Sequence, residues 1–469
     1  MPISRIQMTR AELLDALADG AVVATGNARL ARSLAADFDR RMLARGRAAW
    51  GTPAVLPWSA WLQEAFAAAA ARGAAPLPRI LSAEQEEQVW AAVIREDGPR
   101  LQQALLRVDA TARRARGAWQ LVREWRLDLA DGRFGDHEDA AAFRRWALRF
   151  RALGERRGEA AEADLPGLLQ PLLAAGACPL PPRLILAGFY QLTPAQHAVV
   201  EALRASGCAA DWAEPGGQPG QARRLRADDA RHEMRLAAGW ARQILQERPQ
   251  ARIGIVASGP AARRSALARG LGQVLDPAAL APGAPPAPRP WNLSLGRPLS
   301  DQPVVATALR LLALMRQPAD TETLGALLLS PHWALPREPA ERRAELDRRA
   351  LLDRRIRDLG DTRMRLSNLY YEAGSPGVAG AGATGNGAEH AARPWHSALL
   401  AARCGALLEA SRDLPARAAA GAWAAAFTAW LTAAGWGAQG EGGRPLDSHE
   451  FQAVEAWNAL LSRFSSLSD

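Results

Sequence analysis

Apolar residues recur at helical spacing over most of the stretch between residues 81 and 157. Residues 82–85 form a helix start of the capping-box kind, and Val89, Trp90 and Val93 follow on one face. The next segment places apolar residues at alternating steps of three and four: Leu105, Val108, Ala112, Ala115, Trp119 and Val122. Such a stripe is typical of an amphipathic helix with one buried face. We therefore predict a helical segment whose tryptophans mostly lie in its core.

Short apolar runs elsewhere have the length of buried strands. They are residues 21–24, 53–57, 183–189, 208–212 and 252–257. A run that is apolar throughout is typical of a strand covered on both faces of a parallel sheet. Because helical patterns separate these runs, the sequence predicts an α/β fold in which helices dominate.

A linker rich in glycine and proline at residues 214–220 marks a boundary between two domains. Residues 374–387 form a low-complexity stretch, for which a disordered loop is expected. The predicted domains are a sheet domain from residues 1–80 and 166–213, a basic helical insertion at 81–165, the start of a second sheet domain at 214–300 and a helical insertion at 301–469.

The chain of 469 residues contains no lysine, so all 58 basic residues are arginine. This excludes three kinds of complete site: a phosphate-binding loop with its lysine, a Schiff-base enzyme and a nuclease of the P-D…(D/E)-x-K type. The net charge of +9 permits nucleic-acid binding without requiring it. We expect no complete catalytic site within these residues.

Metal and membrane sites are not expected either. The cysteines Cys178, Cys208 and Cys404 lie too far apart for a metal-binding pair, and an odd number gives no disulfide framework. No run of about 18 apolar residues appears, and the N-terminus lacks the apolar core of a secretory signal. These features predict a cytoplasmic protein with no metal or other cofactor.

The first candidate site is the turn between the strand at residues 21–24 and the helix that follows. Strand, tight turn and helix is the arrangement with which α/β proteins bind phosphates. Here the turn is formed by Thr25, Gly26 and Asn27, and Arg29 follows in the helix. Because the turn is short and poor in glycine, we favour a degenerate turn that only packs, although Arg29 remains able to meet an anion.

The second candidate site is the polar face of the helical insertion. Residues 100–157 contain 14 arginines and 8 acidic residues, so most of the net positive charge of the chain lies there. An arginine-rich face fits contact with DNA phosphates; the alternative is a solvated face in an arginine-biased protein. The candidates for DNA contact are Arg107, Arg113, Arg114, Arg116, Arg123, Arg126, Arg144 and Arg145.

A series of stretches, in order along the chain, resembles the bacterial family of AddB-like DNA repair proteins. These stretches are residues 22–30, 56–62, 186–189, 192–196, 240–242, 253–256, 292–296 and 328–331. The resemblance implies a helicase-like plan of superfamily 1, with two RecA-like, P-loop-type parallel-sheet domains that each carry a large helical insertion. It also implies DNA ends as the substrate, an AddA-like helicase-nuclease subunit as partner and a C-terminal nuclease of the PD-(D/E)XK fold.

The sequence differs from that of an active helicase at two positions, so the resemblance does not imply ATP hydrolysis. Residues 25–29 stand where the phosphate loop would be and contain no lysine. Residues 187–189, which are Ala187, Gly188 and Phe189, stand where paired acids would hold magnesium. We therefore expect an ATPase-inactive, DNA-binding module of a double-strand-break repair protein, whose nuclease domain is not present in these residues. The alternatives are a structural helical platform without DNA affinity and an ATP-dependent helicase.

Overall fold

A computed structural model describes residues 5–73, 76–97, 107–215, 220–281, 289–294, 296–315, 321–333, 340–348, 398–437 and 445–468. The chain divides into two units, Met1–Gln221 and Ala222–Asp469. The linker at residues 214–220 lies at this division. The low-complexity stretch at 374–387 and Leu105, the first residue of the predicted stripe, lie outside the described residues.

The first unit is built on a parallel sheet. Its strands are β1 (Arg5–Met8), β2 (Val22–Thr25), β3 (Val55–Pro57), β6 (Arg183–Ala187) and β7 (Ala209–Pro215), and a separate parallel pair consists of β4 (Arg79–Ile80) and β5 (Glu159–Ala160). The strand order in the sheet is β1-β7-β6-β2-β3, and every pair is parallel. Four of the five predicted runs therefore correspond to strands of one sheet.

Helices cover both faces of this sheet. They are α1 (Arg10–Ala18), α2 (Ala28–Ala44), α3 (Trp58–Ala71), α7 (Leu165–Ala174) and α8 (Pro194–Ala205). In β6, Leu184 and Leu186 pack towards α3, α7 and α8, whereas Ile185 and Ala187 pack towards α1 and α2. Successive residues of a strand point to opposite faces, which explains why these runs are apolar throughout.

The predicted helical insertion is present as α4 (Ala83–Asp97), α5 (Val108–Glu124) and α6 (Glu138–Arg157). Its core contains the aromatic rings of Trp90, Trp119, Trp146 and Phe150. The rings of Trp90 and Phe150 stack with centroids 4.2 Å apart. Three of the four tryptophans are buried as predicted, and Trp125 is 43% exposed.

The second unit is helical in the residues that the structure describes. Its helices are α9 (Ala230–Glu247), α10 (Pro260–Leu275), α11 (Pro303–Ala313), α12 (Thr321–Leu329), α13 (Ala340–Asp347), α14 (Ala398–Ala410), α15 (Ala420–Ala433) and α16 (Ser448–Ser465). A core formed by α11, α12 and α14–α16 contains Trp430, whose indole N–H donates to the Leu311 carbonyl at 2.8 Å. None of the described helices is long and apolar enough to cross a bilayer.

The strand predicted at residues 252–257 is not formed. This segment has no strand assignment, and Ile255 and Val256 are 39% and 99% exposed. A parallel strand obtains its hydrogen bonds from neighbouring strands, and the described part of the second unit contains none. The prediction was wrong at this position. A run of apolar residues indicates a tendency to be buried, but it does not show whether neighbouring strands are present to pair with.

Candidate nucleic-acid interface

The crevice between β2 and β6 is the place in this sheet where a ligand is expected. From β2 the chain runs to β3 on one side, and later returns to β6 and β7 on the other side. The strand order therefore reverses between β2 and β6, and open α/β sheets bind ligands outside the carboxyl ends of the strands at such a point. The turn of Thr25, Gly26 and Asn27 lies there, facing Gly188.

Several polar groups of this turn form hydrogen bonds within the protein. The Thr25 hydroxyl is fully buried and donates to the carbonyls of Asn27 and Leu56, at 2.9 and 3.2 Å. The Asn27 side chain caps α2 by accepting a hydrogen bond from the Leu30 amide at 2.9 Å. The Gly26 amide donates to the Ala187 carbonyl at 3.1 Å. Arg29, in the first turn of α2, has an exposed side chain.

The crevice is also closed by its backbone. A Cβ atom on Gly26 would lie 2.6 Å from the Gly188 carbonyl oxygen, and one on Gly188, whose φ is +75°, would lie 2.4 Å from Leu30 Cδ2. Two glycines thus allow the β2–α2 turn to pack directly on the end of β6. A phosphate-binding loop needs amide groups that point into open space, and this turn offers one helix N-terminus whose cap is already occupied.

Aromatic side chains surround the closed crevice. The ring centroid of Trp58 lies 5.3 Å from that of Trp61 and 6.4 Å from that of Phe189. The Trp212 indole donates to the Phe189 carbonyl at 3.2 Å. Tyr190 is 94% exposed beside this cluster. No pattern in the sequence marks Tyr190, because a single exposed aromatic residue in a turn leaves no periodic signal.

Three of the eight candidate arginines hold buried carboxylates. Arg116 Nε lies 3.2 Å from Glu86, Arg123 Nε lies 2.6 Å from Asp164, and Arg145 Nη2 lies 3.2 Å from Asp97. The carboxylate side chains are 3%, 15% and 1% exposed, respectively. These contacts join α5 and α6 to α4 and to the segment before α7, so these three arginines stabilise the insertion.

The ionisation of the three carboxylates differs. Burial raises the pKa of Glu86 and that of Asp164, despite the neighbouring arginines. Burial also acts on Asp97, but hydrogen bonds from Trp146 and Arg145 outweigh it, so the pKa of Asp97 is lowered. The Trp146 indole donates to Asp97 at 2.9 Å. Arg145 therefore neutralises a carboxylate that stays ionised, whereas Arg116 faces one that resists ionisation.

The other candidate arginines extend away from the core. Arg107, Arg113, Arg114 and Arg126 are exposed and form no ion pair with any residue that the structure describes. Arg113 and Arg114 lie in the middle of α5, Arg107 directly precedes this helix, and Arg126 follows it with φ +52°. Arg144 is half-buried on α6, and its Nε has no hydrogen-bond partner among the described residues. The exposed set spans a helix of about 25 Å at 1.5 Å per residue.

A cleft of about 260 Å³ separates this insertion from the carboxyl edge of the sheet. Its walls carry charged and amide side chains from both sides: Glu86, Arg116, Gln120, Glu124, Glu162 and Gln196, together with Trp58. Within the described residues, no three histidine, cysteine, aspartate or glutamate side chains are grouped so as to hold a metal ion. No protein-family model matches the sequence, and no curated protein matches it.

Proposed function

We propose that this chain is a DNA-binding, ATPase-inactive helicase-like module of the AddB type, which holds DNA ends for a partner helicase and for a nuclease outside these residues. The observation that carries the proposal is the set of exposed arginines in and beside α5 that form no ion pair with a described residue: Arg107, Arg113, Arg114 and Arg126. Phosphate contacts supply most of the affinity of non-specific DNA binding.

The closed turn supports the ATPase-inactive part of the proposal. Hydrolysis of ATP requires a loop that surrounds the phosphates, a lysine and carboxylates for magnesium. At the carboxyl ends of β2 and β6 the chain offers a capped two-residue turn and the sequence Ala187, Gly188, Phe189. The parallel sheet and its reversal point are compatible with a first RecA-like domain. A second such domain, the AddA-like partner and the cytoplasmic location rest on the resemblance and on composition.

The test is fluorescence anisotropy of labelled single-stranded and blunt duplex DNA, with the full 469-residue chain at several salt concentrations. Binding should weaken steeply with salt, because each phosphate contact contributes about 0.9 to the slope of log K against log salt on duplex DNA. The variant Arg113→Ala/Arg114→Ala should lower that slope by about 1.8.

The matched control is Arg223→Ala/Arg224→Ala, which removes two adjacent exposed arginines outside the insertion. It should leave the slope within experimental error of the unaltered chain. Equal losses in both variants would mean that net charge, and not the α5 face, governs binding. No binding at low salt would reject the proposal.

A second candidate function, a platform for a protein partner, is favoured by one observation. At the C-terminal end of α5, Leu121, Trp125 and Leu127 are 55%, 43% and 49% exposed. Aromatic residues and arginine are enriched in protein interfaces. The variant Trp125→Ser should leave the DNA affinity unchanged if this patch binds protein alone, and should lower it if the ring contacts DNA.

A further inference from the structure

The second unit contains a cleft whose chemistry the proposed DNA contacts do not use. It lies between α10 and the segment at residues 289–301 and has a volume of about 370 Å³. Its walls carry the side chains of Arg264, Arg289, Trp291, Asn292, Arg297 and Asp301. This combination places three guanidinium groups, one carboxylate, one amide and one indole ring around a space of nucleotide size.

The lining of the cleft contains more basic than acidic side chains. Arg289 and Arg297 are exposed and form no ion pair with the described residues, and the Asp301 carboxylate accepts only a long hydrogen bond from Ser300, at 3.4 Å. Arg264 Nη1 donates to the Gly296 carbonyl at 3.5 Å, which fixes its position at one wall. Three guanidinium groups and one carboxylate give the lining a formal charge of +2. A phosphomonoester carries about −1.5 to −2 at neutral pH.

The indole ring supplies a second recognition element. The Arg289 guanidinium carbon lies 5.2 Å from the centroid of the Trp291 ring, so cation and ring stand together at the cleft. The Trp291 Nε1 is buried and has no hydrogen-bond partner among the described residues. A buried donor without an acceptor is costly, and a ligand oxygen in the cleft would satisfy it. An aromatic face beside arginines is the arrangement with which proteins stack nucleobases.

We infer that this cleft binds the 5′-phosphate and base of one nucleotide, with the phosphate on Arg264, Arg289 and Arg297 and the base against Trp291. Asp301 and Asn292 offer acceptors and an amide for the sugar hydroxyl or the base edge. The same chemistry belongs to a free nucleoside monophosphate and to the 5′-phosphorylated end of a single strand. The inference depends on the second unit alone and holds whether or not the α5 arginines bind DNA.

The experiment is isothermal titration calorimetry of the full chain with four probes. They are adenosine 5′-monophosphate, adenosine, and an eight-residue thymidine oligonucleotide that ends in either a 5′-phosphate or a 5′-hydroxyl. At least one phosphorylated probe should bind saturably and its unphosphorylated counterpart more weakly by tenfold or more. Tight binding of the monophosphate identifies a free nucleotide as the ligand, and binding of the phosphorylated oligonucleotide alone identifies a strand end.

Two variants test the residues. Arg289→Ala/Arg297→Ala should weaken the phosphorylated probe by about tenfold for each arginine, because a hydrogen bond to a charged group is lost at each. The control Arg263→Ala/Arg269→Ala removes two exposed arginines of α10 that do not line the cleft, and should change the affinity by less than twofold. Trp291→Leu should weaken the monophosphate but not inorganic phosphate.

The inference is overturned if no phosphorylated probe binds saturably, or if both arginine pairs weaken it equally. The variant Arg113→Ala/Arg114→Ala separates this result from the proposed function. It should leave binding of the monophosphate intact while it weakens duplex DNA, so that failure at one site says nothing against the other.

Discussion

Arginines lie on both the inner and the outer face of the helical insertion, but they make different contacts on the two faces. On the inner face, Arg116, Arg123 and Arg145 lie against carboxylates that are at most 15% exposed. On the outer face of α5, Arg113 and Arg114 have no partner among the described residues and extend into solvent. An arginine is thus structural where a buried acid must be neutralised, and available for a ligand where none is present.

Because of this contrast, only part of the basic charge of the insertion is available to bind a ligand. A buried ion pair contributes little net stability compared with an apolar pair, but removal of one partner leaves an uncompensated charge or donor. The inner arginines therefore stabilise the insertion through their carboxylate partners and are poor candidates for a ligand. Only the outer set can bind phosphate without cost to the fold, and this difference can be tested in both directions.

The largest effect is expected where an inner carboxylate is removed. Asp97→Ala leaves the buried Trp146 indole without its acceptor and separates Arg145 from its partner. We expect a loss of about 2–4 kcal/mol in the free energy of unfolding, measured by urea denaturation. The control Asp109→Ala removes a carboxylate that is 81% exposed and pairs with Arg95 at 3.3 Å. It should cost less than about 0.5 kcal/mol, and equal costs would contradict the distinction.

A smaller effect is expected in the pH dependence, with opposite signs at two inner carboxylates. The pKa of Glu86 is raised by burial, so the folded chain binds that proton more firmly than the unfolded chain does. Its contribution to stability therefore falls as the pH rises above the ordinary pKa of 4.5. The pKa of Asp97 is lowered, so its contribution is present above the ordinary pKa of 3.8 and is lost as the pH falls below it.

The variants Glu86→Gln and Asp97→Asn isolate these two contributions, since each amide cannot ionise. Relative to the unaltered chain, Glu86→Gln should gain stability as the pH rises from 4.5 to 8. Asp97→Asn should lose stability as the pH rises from 3 to 5. Urea denaturation at each pH measures both differences, and slopes of the same sign would show that the two sites do not differ as described.

These distinctions mark the limit of what the sequence could predict. The strands of the sheet and the helix with Ala112, Ala115, Trp119 and Val122 buried follow from period and length. The ion pair between Arg116 and Glu86 could not be predicted in this way, because the two residues are 30 positions apart. The pattern that identifies the polar face of a helix does not show which residues contact that face. The closure of the β2–α2 turn depends in the same way on Gly188, which directly follows the distant strand β6.

The segment at residues 252–257 shows the converse error. Local apolar character predicted a buried strand, but burial also requires neighbouring strands, and the described residues of the second unit supply none. The arginine-lined cleft of that unit was not predicted either. Arg264 and Arg297 are 33 positions apart, and their approach to Trp291 is a product of the chain path around α10. A pattern of residues along the chain predicts individual elements, but it cannot predict a cleft whose walls come from distant positions.

The smallest effect is expected from the outer arginines, and it tests most directly whether they differ from the inner arginines. Arg113→Ala/Arg114→Ala should change the free energy of unfolding by less than about 0.5 kcal/mol, because neither side chain has a partner among the described residues. Arg116→Ala, on the same helix, leaves Glu86 buried with only the Trp90 indole at 3.2 Å. It should cost about 1–3 kcal/mol at pH 7 and less at lower pH, because burial raises the pKa of Glu86 and the uncharged carboxyl needs no cationic partner. Urea denaturation at the two pH values measures both. A loss for the outer pair as large as that for Arg116→Ala would mean that the α5 face packs against something, and the arginines would then not be available to DNA.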